Sequence, residues 1–190
     1  MKRIVALLIF AVIMLPACNK NSIFDGSDKS AIQPVEASVA LGSDNKDFFN
    51  SSAFIILGPE VLNNFIKENG EIDVERNENN KWGDIAIVIN DSHLLGEYQG
   101  VDGSIFEWPQ IDFGKYSLVI GRYSAPDTGY ILREHRAKKG LFRAEIFLHI
   151  IRGAGFTVPM LHVWGALYPK LPSGPAKVTR WEDDTAYQVQ

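Results

Sequence analysis

The apolar positions of this chain fall into three regimes. The first is a block, Ile4 to Leu15, that is apolar at every one of its twelve positions and follows Lys2 and Arg3. Twelve residues suit the ~7–15 of a signal-peptide core and fall short of the ~20 a membrane-crossing helix needs. The second regime, residues 19 to 47, is dominated by Asn, Ser, Asp, Lys and Gly, with isolated Ile23, Phe24 and Ile32. Such a stretch buries too little apolar surface to offset the entropy of ordering it, and it is predicted to be a flexible tether. Within it, Gln33 to Leu41 also fits a first edge strand. The third regime is a patterned body starting near Phe48. Ala53 to Leu57 is a short apolar run closed by Gly58-Pro59, the signature of a buried strand. Val61, Leu62, Phe65 and Ile66 then recur at helical spacing, with Pro59 in the first turn and Gly70 just past the end. The spacing predicts one amphipathic helix over about 59–69.

Beyond a polar loop at 71–83, the pattern turns to strands. Asp84 to Asn90 and Tyr116 to Gly121 are apolar and rich in β-branched residues, as strands buried on both faces are. Tyr130 to Arg136, Leu141 to Ile151, Phe156 to Leu167 and Ala176 to Trp181 follow, separated by turn residues; Leu141 to Ile151 also fits a helix, but its β-branched and aromatic content favours a strand. Gly153-Ala154-Gly155 is predicted to turn a hairpin between the second and third of these, with Pro159 at an edge or bulge. One helix followed by antiparallel hairpins describes an α+β, β-dominated domain over 48–182, an antiparallel sheet or small sandwich, with a loose tail at 183–190. The lack of strand–helix–strand alternation counts against a parallel nucleotide-binding sheet.

Charge and composition narrow the partners. The 190 residues carry 19 basic and 23 acidic side chains, a net charge of −4, and 46% are hydrophobic, enough for a core without disulfides. The cluster Arg133, Arg136, Lys138 and Lys139 is interrupted by Glu134 and His135, a solvated strand end rather than a phosphate-binding surface. Nucleic acid is not the expected partner. Cys18 is the single cysteine.

Catalytic motifs are missing from the sequence: there is no Gly-x-Ser-x-Gly elbow, phosphate-cradling glycine loop or His-Glu-x-x-His pattern. Asp73, Glu75, Glu78 and Asp84 lack the register of a calcium loop. His149 and His162 lie on the two arms of the predicted hairpin, where residue 149 would face about residue 159 and a bulge at Pro159 would bring His162 nearer. They read as half-buried hydrogen-bonding side chains. The enzymatic alternative is a hydrolase that pairs one of them with a carboxylate. Neither a metal nor a cofactor is expected. Among the aromatics, Trp164 and Tyr168 in Trp164-Gly165-x-x-Tyr168-Pro169 could line a shallow ligand or partner surface at a strand end.

Leu15-Pro16-Ala17-Cys18 resembles the lipobox of bacterial lipoproteins, with Pro16 departing from the small or β-branched residue usual at that place. The resemblance implies a signal peptide over 1–17, cleavage before Cys18, acylation of that residue, a tether over 18–47 and a lipid bilayer as partner. Asn19, rather than Asp, leans toward the outer membrane over the inner. Loss of Lys2 and Arg3 takes the basic count from 19 to 17 against 23 acidic, a mature charge near −6. Ile111 to Gly121, with Trp164 to Lys170, resembles small lipoproteins of Gram-negative bacteria, and is loosely similar to the C-terminal domain of protease-complex accessory lipoproteins over about 53–181. No functional residue carries over. Together these features imply a non-enzymatic binding or accessory module of the cell envelope, with an envelope protein as a further partner. A purely structural envelope component is the other non-enzymatic option.

Overall fold

The computed structural model describes residues 30–72, 80–100, 102–153 and 155–183. In chain order its elements are α1 (Ala37–Leu41), α2 (Ser52–Asn69), β1 (Ile85–Ile89), β2 (Tyr98–Gln99), β3 (Ile105–Phe106), β4 (Tyr116–Ala125), β5 (Tyr130–Lys139), β6 (Ala144–Arg152), β7 (Met160–Pro169), β8 (Gly174–Pro175) and β9 (Lys177–Asp183), with two short 3-10 turns between the helices. The fold is α+β and β-dominated, as the pattern predicts.

Three layers account for the burial. A four-stranded antiparallel sheet runs β7-β4-β1-β8. A three-stranded sheet runs β5-β6-β9, with β5 antiparallel and β9 parallel to β6. One face of the first sheet, through Ala86, Val88, Val119, Tyr123, Trp164, Ala166 and Tyr168, packs on Ala137, Ile146, Leu148, Ile150 and Val178 of the second. Its other face, through Ile85, Ile87, Ile89, Leu118, Ile120 and Leu167, packs on Val61, Leu62 and Phe65 of α2. β1 and the first half of β4 are therefore covered on both sides, which is why their sequences are apolar without alternation. Asp84, just before β1, is held by Arg180 of β9 at 3.2 Å, and Arg180 also donates to the Ser124 carbonyl at 2.6 Å. This buried pair ties the two sheets together at one end.

Helix α2 starts earlier than its spacing predicts. Ala53 to Leu57, expected as a buried strand, forms its first turns. Ser51 caps the helix by accepting the Phe54 N–H at 3.3 Å. The buried set is Phe54, Leu57, Gly58, Val61, Leu62 and Phe65, one continuous helical stripe, while Ile55 is exposed. Pro59 lies inside the helix and removes the N–H that would reach the Ile55 carbonyl, on the helix's exposed side.

The expected tether also needs correction where it is described. Ile32 exchanges two backbone hydrogen bonds with Ala137 of β5, and the Val35 N–H donates to the Leu167 carbonyl of β7 at 2.7 Å. Residues 32 to 41 are thus docked on the domain, and the folded part begins well before Phe48.

The hairpin predicted around residue 154 is a crossing instead, since β6 and β7 belong to different sheets. A Cβ on Gly155 would lie 2.1 Å from the Gly129 nitrogen, and Gly153 donates to the Gly129 carbonyl at 2.6 Å. The glycines let one chain segment pass against another. Among the described residues, no helix is long and apolar enough to cross a membrane.

Candidate binding cleft

The outer edges of β5 and β7 face each other across a seam between the two sheets. At one end the segment Ile32 to Val35 fills that seam, hydrogen-bonding to β5 on one side and β7 on the other. The chain then leaves the seam into α1. Beyond that point the seam opens into a cleft of about 420 Å³, lined by Ile131 to His135 of β5, His162 to Gly165 of β7, and by Tyr123, Pro34 and Asn50. Among the described residues, no backbone–backbone bond covers these stretches of either outer edge.

Strand alternation decides which side chains face the cleft. On β7, residues 162, 164, 166 and 168 share the face turned toward the second sheet. On β5 a bulge between Leu132 and Glu134 shifts the phase by one position. It turns His135 inward, where its ring stacks on Trp164 at 4.8 Å between centroids. The Trp164 indole lies flat over Gly121 of β4, where a Cβ would come within 2.4 Å of it. Only glycine leaves that space. His162 stacks on Tyr123 at 4.9 Å, and the Tyr123 hydroxyl accepts the Leu132 N–H at 3.3 Å.

Burial sets the charge state of this wall. Desolvation pushes the His135 imidazole down to about 4, so it is neutral at ordinary pH. Its Nδ1 shares a 2.6 Å hydrogen bond with the hydroxyl of Tyr168, whose ionisation burial pushes far up. Desolvation lowers His162 as well. Two buried side-chain nitrogens of cleft-lining residues, His162 Nε2 and Trp164 Nε1, have no hydrogen-bond partner. Buried polar groups left in that state typically cost about 1–3 kcal/mol each.

The structure distributes the sequence-predicted residues unevenly. Trp164 lines the cleft wall and is 7% exposed. Tyr168 is fully buried behind it and reaches no surface; its part is to hold His135. His162 lines the cleft. His149 lies on the outer face of the second sheet, stacked on Trp181 with Asp183 Oδ2 3.9 Å from its Nε2. The two histidines expected to approach each other across a hairpin are on different sheets and different faces, so they form no joint site. Ser117 is buried, donates to Asn90 and accepts the Leu171 N–H. Among the described residues, no group of three or more His, Cys, Asp or Glu is placed to hold a metal ion. Asp84 is paired with Arg180, and Asp73, Glu75 and Glu78 lie outside the described residues, as does Cys18.

His135 is the cleft residue the sequence conceals. Strict alternation counted from the apolar Leu132 gives it a surface position, and only the bulge brings it inside. Comparison of the chain with family models, with curated proteins and with solved structures finds no match in any of the three.

Proposed function

We propose that this chain is a non-enzymatic accessory module of the cell envelope, anchored through an acylated Cys18 and facing the outer membrane, that binds an extended peptide segment of an envelope protein in the seam between β5 and β7. One observation carries the binding reading: the chain's own Ile32–Val35 already occupies one end of this seam, bonded to both edges, and the cleft beyond it is open. Open strand edges take up peptides through main-chain hydrogen bonds, and flanking pockets give the side-chain preference. Here the preference would come from the His135–Trp164 and Tyr123–His162 stacks and from Ile131, 55% exposed at the cleft rim. The anchoring reading is supported by Lys2-Arg3, the apolar run and the Leu15–Cys18 junction.

The binding reading is tested by panning a displayed library of ten-residue peptides against the purified protein. Enriched peptides are expected to shift tryptophan emission and to lose about tenfold in affinity, about 1.4 kcal/mol, on Ile131→Asp. Enriched peptides indifferent to Ile131→Asp, or no enrichment over that variant, would overturn it.

A further inference from the structure

The β5–β6 hairpin ends in Leu141 and Phe142, which are 87% and 88% exposed. No other large hydrophobic side chain among the described residues is more exposed. Around this apolar tip stand Lys138 and Lys139 at the end of β5 and Arg143 at the turn into β6. Lys177 at the start of β9 joins them, in register with Glu145, which also faces Lys138. Among the described residues, the hairpin end therefore gathers the four basic side chains Lys138, Lys139, Arg143 and Lys177 around Glu145, in a protein whose overall charge is negative. An apolar tip inside a basic collar complements an anionic lipid surface: the apolar residues enter the headgroup–acyl boundary and the cations meet the phosphates.

The position of the chain's entry into the fold points the same way. Ile32 pairs antiparallel with Ala137, which sets Ser30 beside the last residues of β5. What precedes Ser30 therefore joins the domain at the hairpin end. From Cys18 to Ser30 is twelve residue steps, a reach of at most about 43 Å even fully extended. The far end of the sheets, where Phe156 lies, is a further ~33 Å away for a ten-residue strand. Ser30, where the described chain enters the fold, and the basic apolar tip are at the same end of the sheets.

We propose that the Leu141–Phe142 tip is a membrane-contact element that docks the domain on an anionic phospholipid bilayer, a proposal that rests on the Cys18 anchor. Docked this way, the domain stands with β5 and β7 rising from the bilayer, and the open cleft lies in the part farther from the lipid. The two contacts together fix an orientation that a single point of attachment would leave free.

The test uses the acylated protein extracted from membranes in detergent and reconstituted into vesicles of phosphatidylethanolamine with phosphatidylglycerol, or of phosphatidylcholine alone. Acylation consumes the thiol of Cys18, so Phe142→Cys supplies one free thiol for an environment-sensitive fluorophore, and Phe156→Cys supplies the far-end control. The label at position 142 is expected to shift to the blue and to become several-fold less accessible to aqueous iodide in the anionic vesicles, with the effect reduced by salt and by the phosphatidylcholine surface. The label at 156 is expected to stay fully quenchable. Labelling of the unsubstituted protein at Cys18 would overturn the anchor reading and the proposal with it. A blocked Cys18 together with a label at 142 as quenchable as that at 156 would overturn the tip contact alone.

Discussion

His135 is where a single side chain bears on both stability and the cleft. Its neutral ring is sandwiched between Trp164 and the Tyr168 hydroxyl, and its proton affinity is pushed down to about 4 from an ordinary 6.5. As pH falls, the unfolded chain takes up this proton first, so the contribution is complete above about 6.5 and is lost as pH descends toward 4. Desolvation lowers His149 and His162 in the same direction. The slope from one such histidine is about 1.4 kcal/mol per pH unit within that window. Urea unfolding measured between pH 7 and 5 is expected to show stability declining as pH drops, with a shallower decline for His135→Gln. Equal slopes for the two proteins would contradict the buried, neutral ring.

At the scale of elements, the Ile32–Val35 segment stitches two sheets that otherwise meet only through side chains at this edge. Val35→Pro removes the N–H that donates to Leu167 and nothing from the core stripe of α2. The expected cost is about 1 kcal/mol in urea unfolding, with faster hydrogen exchange along the outer edge of β7. Unchanged exchange there would show that the segment does not hold the seam. The elements also explain what was legible in the sequence. β1 and β4 announce themselves because burial on both faces leaves apolar runs rich in β-branched residues. Helix α2 was half legible. Its first turns were indistinguishable from a strand over five residues, and the exposed Ile55, which breaks the strand reading, looks like any other apolar residue in sequence. The docked segment was hidden for a different reason: it is held by backbone hydrogen bonds, which leave no side-chain pattern. The bulge at Arg133 hid His135, and the glycines at 153 and 155 serve a close chain crossing that shares its residues with a tight turn. Of the candidate site, Trp164 and His162 were visible as aromatic or titratable residues on a strand, whereas their partners depend on strands distant in sequence.

Seen as a whole, the molecule is a helix, a four-stranded sheet and a three-stranded sheet in layers, with one end of the seam between the sheets filled by its own Ile32–Val35 segment. Entry into the fold at the hairpin end, the basic collar there and the open cleft toward the other end give the layers a direction. That direction has meaning only if the chain is held at Cys18. Intact mass spectrometry of the protein extracted from membranes measures this directly. The account predicts a species that begins at Cys18, lacks residues 1–17 and carries the added mass of acyl chains on that residue. A protein with Cys18 unmodified, whether cleaved or still starting at Met1, would contradict it.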